Sequence, residues 1–426
     1  MAESPTRVTV AVVGGGQAGL SMSWHLKTRG IDHLVFERST AMHVWQDARW
    51  DSFCLVTPNW QCDLPGHRYD GPDPDGFMKR DEIIAWLARF RRKVDAPLRE
   101  GVSVLRVTRR GDGGFDVMTS AGDLIADQVV AASGGYTTPI IPRAAERLPP
   151  RIVQVRSEQY RSPGALPAGA VLVVGSGQSG AQIAEDLHLA GRRVHLATGG
   201  APRCARFYRG RDVVAWLADM GYYDMPVEAH PLREGVRDSS NHYVTGRDGG
   251  RDIDLRRFAR EGMRLYGELA DIEDHAVSFR PTLKASLDAA DRTYNRINAT
   301  IDRHIAERGV AAPPPSVYLP VWEPEAEAGS GRLDLDAAGV TSIVWCIGFR
   351  PDFRWLDAAV FNGAGHPRHR RGVTAENGLF FLGLPWLHTW GSGRFSAVGR
   401  DAGYIADRIA ENLGARVALR GTAMAE

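Results

Sequence analysis

Val8-Thr9-Val10-Ala11-Val12-Val13-Gly14-Gly15-Gly16-Gln17-Ala18-Gly19-Leu20 reads as a buried strand, a glycine-rich turn and the start of a helix. The first glycine permits the tight bend, the second lets backbone amides approach a pyrophosphate, and the third lets the helix sit close to the strand. A phosphate held there meets the positive end of the helix. One such turn is a weak signal, because glycine-rich turns also close ordinary loops. The chain repeats it. Ala170-Val171-Leu172-Val173-Val174 leads into Gly175-Ser176-Gly177-Gln178-Ser179-Gly180, and Ala181 to Leu187 continues as a helix. Two dinucleotide sites in one chain narrow the chemistry to electron transfer between two cofactors.

The end of the following strand separates the two sites. After Leu34-Val35-Phe36 comes Glu37, roughly 20 residues beyond the first glycines, where a carboxylate accepts hydrogen bonds from a ribose diol. A 2′-phosphate would be repelled there, so the first site suits FAD or NAD. After Val194-His195-Leu196 the matching position offers Ala197 and Thr198, with Arg203 and Arg206 close behind. Guanidinium groups pair with a phosphate dianion, which favours NADPH. The plainer alternative makes Arg203, Arg206 and Arg209 a solvated basic loop.

An FAD-type site first and a nicotinamide-type site second resembles the two-dinucleotide-binding-domain flavoproteins. Val129-Val130-Ala131-Ala132-Ser133-Gly134-Gly135, followed by Pro139 and Pro142, looks like the passage from one domain to the other. Ile343 to Pro351, with Gly348, looks like the return. The run Gly378 to Gly393, then Arg400-Asp401-Ala402, resembles the last flavin contact, where a strand feeds a helix whose N-terminus faces the ring. Cys54, Cys62, Cys204 and Cys346 contain no C-x-x-C or C-x-x-x-x-C pair, so the disulfide reductases fit less well. Trp45 to Asn59 is similar to the tryptophan-containing loop of the class B flavoprotein monooxygenases, which include the flavin-containing monooxygenases and plant indole-3-pyruvate monooxygenases. Trp50-Asp51-Ser52-Phe53, Gly76-Phe77-Met78 and Leu387 to Gly393 are most similar to a bacterial subgroup of flavin-dependent oxidoreductases found near nitrilase genes. The branch's fingerprint, F-x-G-x-x-x-H-x-x-x-Y/W, falls on Pro150, Ile152, Arg156 and Tyr160, so only its aromatic end is kept and Arg156 stands at the histidine position.

The resemblance implies an α/β fold of two Rossmann-like domains with a helical insertion in the second. The expected division is 1–164 for the first part of the FAD domain, 165–341 for the NADPH domain with its insertion at about 203–330, and 342–426 for the return to FAD. Within the insertion, Leu255 to Met263 and Leu287 to Ile305 carry apolar spacing near 3.6 and read as amphipathic helices. They could cover the cleft, shape a substrate pocket, make a homodimer contact, or be plain surface helices.

The same resemblance implies FAD contacts at Gly14, Gly16, Gln17, Ala18, Gly19, Glu37, Arg38, Trp45, Val104, Ser133, Gly134, Gly348, Leu387 and Thr389. It implies NADPH contacts at Gly175, Ser176, Gly177, Gln178, Ser179, Thr198, Arg203 and Arg206. NADPH would reduce FAD, and reduced FAD with O2 would form a C4a-hydroperoxide. That species would oxygenate a small organic substrate at nitrogen, sulfur or a carbonyl-adjacent carbon. Electron transfer without oxygen insertion is the alternative. Asn59 and then Thr57 are the side-chain candidates beside the flavin, although both could be turn residues around Pro58. His388 is a candidate at the flavin edge.

Length and composition agree. The 426 residues allow two or three compact units, and a formal net charge of +1 lacks the basic excess of a nucleic-acid binder. No signal-type segment and no run of about 18 apolar residues is seen, which argues against secretion and membrane spanning. Four scattered cysteines suit a reducing cytoplasm. His366 and His369 read as part of a solvated basic loop rather than as metal ligands, and a G-x-S-x-G elbow is absent.

Overall fold

The computed structural model of the chain describes residues 6–325 and 331–423. Two β-sheets organise them. The first runs in the order Leu356–Asp357, Val104–Arg109, Phe115–Thr119, Leu124–Ala131, Thr6–Val13, His33–Glu37, Leu98–Glu100, with Leu379–Phe381 also paired to Leu124–Ala131. Its centre is parallel: Thr6–Val13 lies between His33–Glu37 and Leu124–Ala131. These strands are buried on both faces, which is why they read as unbroken apolar runs rather than as alternation. The second sheet is parallel throughout, in the order Val153–Arg156, Val340–Trp345, Ala170–Val174, Val194–Ala197, Arg264–Tyr266. A three-stranded antiparallel sheet, Leu269–Glu273, Ala276–Phe279 and Gly331–Asp334, accompanies it.

Each glycine turn opens a 12-residue helix, Gln17–Thr28 on the first sheet and Gln178–Leu189 on the second. The α/β architecture with two Rossmann-like parallel sheets is therefore the one the two turns predict.

The boundaries differ from the expected ones. Val153–Arg156 precedes residue 164 yet pairs in the second sheet, and Val340–Trp345, straddling 341, is central there. Residue 164, expected to end the first part of the FAD domain, lies in the short turn Pro163–Ala165 inside the second unit. The crossings are Thr138–Pro139 and Phe349–Arg350, which pair antiparallel to each other.

The region from 203 onward is not wholly helical. Its amphipathic segments form helices at Leu255–Arg260 and Leu283–Arg308. Between them the chain returns to the sheet at Arg264–Tyr266, and residues 222–238 form short 3-10 turns. The last residues of the expected insertion, 326–330, lie outside the described residues. Among the described residues, no helix is long and apolar enough to cross a membrane.

Candidate functional site

One cavity of about 1760 Å³ runs between the two sheets and is lined by residues of both glycine turns. Gly14 takes φ +116° and a Cβ there would lie 2.5 Å from the Ala132 carbonyl oxygen; Gly175 takes φ +102° with the Cys346 carbonyl oxygen at the same distance. Only glycine fits either place. Gly16 and Gly177 are the N-cap residues of their helices and neither helix start is capped by a side chain. A Cβ on Gly16 or Gly177 would meet nothing within 4 Å. Both helix starts thus keep free amides beside open space, the arrangement that receives a pyrophosphate.

The third glycines work by packing. A Cβ on Gly19 would come 1.8 Å from the Gly14 carbonyl oxygen, and one on Gly180 would come 1.9 Å from that of Gly175. Glu37 is buried at the cavity wall, accepting from the Gly15 amide at 2.8 Å and the Ser39 amide at 3.0 Å. Two acceptor positions on its carboxylate are thereby fixed and others remain for a diol. The matching Thr198 hydroxyl donates to the Tyr266 carbonyl, and the Ser176 hydroxyl accepts from Gly199 N.

The cavity brings most of the sequence candidates together. Gly14, Gly16, Gln17, Ala18, Glu37, Arg38, Trp45, Val104, Ser133, Gly134, Gly348 and Thr57 line it on one side, and Gly175, Ser176, Gly177, Gln178, Ser179 and Thr198 on the other.

Eight side chains are placed elsewhere than expected. Arg203 is buried, ion-paired with Asp254 at 3.3 Å and Asp291 at 3.1 Å, and stacked between Tyr294 and Tyr318. Arg206 is buried, paired with Asp212, stacked on Phe77 and donating to the Val56 carbonyl. Neither is a solvated loop residue, and neither guanidinium is free to read a phosphate. The Asn59 amide donates to the Asp73 carbonyl at 2.9 Å and accepts from Met78 N at 2.7 Å, so it fixes the loop around Pro58. Leu387 is fully buried in the first unit's core. The amides of His388 and Thr389 both donate to the Ser392 hydroxyl, and neither side chain lines the cavity. His366 and His369, expected in a solvated loop, form part of the cavity wall, where burial pulls His369 down to about 4.

The surviving aromatic of the fingerprint has a structural task. Tyr160 donates to Asp186 at 2.7 Å, and Asp186 also accepts from Ser52 at 2.6 Å and pairs with Arg247 at 2.7 Å. Asp186 thus ties the Trp50–Ser52 loop of the first unit to the helix of the second. Arg156 pairs with Glu158 at 2.6 Å, and Glu158 lines the cavity.

Sequence reasoning missed part of the wall. Tyr222, Tyr223, His230, Asn241 and Arg394 all line it. The first four come from the region after 203, where 3-10 turns carry no periodicity to read. Arg49 was visible within the aromatic run from Trp45 to Phe53; it lies over both rings, and burial pushes its guanidinium down to about 10.

This fold, with a cavity spanning two uncapped glycine turns, defines a two-dinucleotide oxidoreductase. Comparison with known proteins agrees. The family profile of pyridine nucleotide-disulphide oxidoreductases matches residues 11–219. An uncharacterized CzcO-like oxidoreductase of Geobacillus kaustophilus is 30% identical over 409 residues, covering 94% of this chain and 98% of the relative. Among solved structures, a flavin-containing monooxygenase from Stenotrophomonas maltophilia superposes with a TM-score of 0.64 at 19% identity, covering 95% of this chain and 99% of the other. Cyclohexanone monooxygenase from Rhodococcus sp. Phi1, bound to NADP+, superposes with a TM-score of 0.55 at 18% identity, covering 96% and 85%. The chain belongs to the CzcO-like oxidoreductase family and is a flavin-dependent oxidoreductase.

Proposed function

We propose that the chain is an FAD- and NADPH-dependent monooxygenase that adds one oxygen atom to a small organic substrate at nitrogen, sulfur or a carbonyl-adjacent carbon. The observation that carries this reading is the single cavity spanning both glycine turns, with Glu37 at the first and no carboxylate at the matching Ala197-Thr198 position. Bound FAD would supply the two-electron redox chemistry between a nicotinamide and oxygen. The protein's part is to bind, orient and shield. Gly16 and Gly177 leave the two helix ends open, where pyrophosphates would be held, and Glu37 would accept from a ribose diol at the first. Trp45, Phe53, Trp386 and Trp390 give the cavity apolar walls that exclude water.

The cysteines favour oxygen transfer over disulfide reduction. Cys54, Cys62, Cys204 and Cys346 are free, and burial raises their thiols, to about 11 for Cys54 and about 12 for Cys62 and Cys204. A nucleophilic dithiol needs the opposite environment.

With Arg203 and Arg206 committed elsewhere, Arg296 becomes the phosphate-reading candidate. It is exposed at the cavity rim, no carboxylate among the described residues pairs with it, and its charge acts on His242. His242 leads into Val244, whose carbonyl accepts from Gln178 of the second turn at 2.7 Å. Arg296→Ala is expected to raise KM for NADPH by roughly ten-fold or more, the worth of a charge-assisted hydrogen bond. KM for NADH should stay within about two-fold. Equal effects on both nucleotides would remove Arg296 from this role.

Oxygen bookkeeping tests the activity. With a substrate that is turned over, NADPH consumption should match oxygenated product, and label from 18O2 should enter that product. Recovery of all consumed oxygen as hydrogen peroxide, across amines, sulfides and ketones, would point instead to a flavin oxidoreductase without oxygen insertion.

A further inference from the structure

Buried arginines in this chain are partnered by carboxylates. Arg203 has Asp254 and Asp291; Arg206 has Asp212; Arg256 has Asp288, Asp291 and Glu323. That is the expected rule, because an enclosed cation without a counter-ion is costly.

Arg394, half-buried, has no such partner. Its guanidinium lies at the cavity wall, 3.8 Å from the ring centre of Trp390. It donates to the Trp390 carbonyl and, at 2.8 Å, to the Asn241 amide oxygen, both neutral acceptors. No carboxylate among the described residues lies within ion-pair distance. Enclosure pulls it below the ordinary arginine value, and the phenols of Tyr136, Tyr223 and Tyr222 are the groups near enough to act on it. A five-donor fork with two neutral acceptors has donors left over.

Place and surroundings give the surplus a use. Arg394 follows Gly393, whose carbonyl accepts from Gln17 of the first turn at 3.4 Å, so it stands beside the flavin-side nucleotide site. Tyr222, Tyr223 and His230 from the region after 203 line the same cavity, with Tyr223 against Trp390 at 4.6 Å, and Trp386 packs edge-on against Tyr222 with centroids 6.2 Å apart. Trp386 takes φ +50°, a left-handed conformation that costs a bulky residue on the order of 1–3 kcal/mol. Its surroundings hold it there, with its carbonyl accepting from Arg237 at 3.2 Å. A planar, charge-assisted donor framed by aromatic faces is what a carboxylate on an apolar body requires.

Arg49, the other enclosed cavity arginine without a carboxylate, lies over Trp45, whose indole reaches Gln17 at 3.5 Å. It therefore serves the glycine-turn end. Arg38 and Arg296 are exposed at the rim.

We propose that Arg394 is the carboxylate anchor of the substrate site, and that the substrates are small organic acids with an apolar or aromatic body. The inference rests on the oxygenase reading above for calling this a substrate site. It adds the ligand class that reading leaves open.

The test uses the FAD-loaded protein with two probes of matched shape, phenylacetate and phenylacetamide. Binding is followed by perturbation of the flavin absorbance and by quenching of tryptophan fluorescence. Wild type should bind the acid at least roughly ten-fold more tightly than the amide, the value of one charge-assisted hydrogen bond. Arg394→Gln should erase that difference, and Arg394→Lys, which keeps the charge but not the fork, should retain part of it. Equal binding of the two probes by wild type, perturbation by neither, or a preference that survives in Arg394→Gln would overturn the proposal. If Arg394→Gln does not hold flavin, the wild-type comparison and Arg394→Lys decide. Bleaching of wild-type flavin by NADPH, measured alongside, reports on the underlying redox reading and is independent of both probes.

Discussion

Replacing Gly19 by alanine is expected to give protein that purifies without flavin. The new Cβ would sit 1.8 Å from the Gly14 carbonyl oxygen, and backbone cannot rotate aside as a side chain can. The helix Gln17–Thr28 must then back away from Thr6–Val13, at a cost of about 1–3 kcal/mol or more for overpacking. That displacement opens the turn whose free amides would hold the pyrophosphate. Since each 1.4 kcal/mol is about a factor of ten in affinity, flavin affinity should fall by roughly ten-fold or more, so that the flavin is lost on dilution during purification. The ratio of flavin to protein absorbance measures it. Gly180→Ala makes the same clash at 1.9 Å in the other turn and should cost nicotinamide binding while the protein stays yellow. Full flavin retention by Gly19→Ala would mean that the first turn is not the flavin's phosphate cradle.

The second large effect is on stability. Arg203→Ala is expected to leave the NADPH-to-NADH preference alone and to lower unfolding free energy by roughly 3 kcal/mol, because it removes the guanidinium paired with Asp254 and one of the two paired with Asp291. Asp291 also holds Arg256, so the loss spreads through one network: Arg203, Arg256, Asp288, Asp291 and Glu323. Urea unfolding of holo-protein reads the stability, and KM for each nucleotide reads the preference. A changed preference with unchanged stability would return Arg203 to the nucleotide site.

These two residues also show what a sequence can and cannot disclose. The glycine turns are legible because every partner lies within a few positions: strand, bend and helix are local, and the three glycines carry three separate steric demands. Glu37 is legible for the same reason, one strand further on. Arg203 looks like a phosphate reader because it follows the right strand. Its true partners sit on Asp254, which caps Leu255–Arg260, and on the inward face of Leu283–Arg308.

No spacing rule links such positions. Asn59 fails likewise, since Asp73 and Met78 claim its amide from the next turns of the loop. The crossing was misplaced because Val153–Arg156 is too short and too exposed to read as a sheet strand until Val340–Trp345 is beside it. The cavity wall from Tyr222 to Asn241 is illegible in the sequence, because 3-10 turns and irregular loop carry neither the 2-residue nor the 3.6-residue pattern.

The threading of the two sheets has a consequence for biosynthesis. A nascent polypeptide leaves the ribosome N-terminus first, and domains generally fold as units while it does. The second sheet can be finished once Val340–Trp345 has emerged. The first sheet, although it begins at Thr6, still awaits Leu356–Asp357 and Leu379–Phe381. Of the two sheets, the one begun first is therefore the one completed last, and the first glycine turn gains its full sheet only after Leu379–Phe381 has emerged.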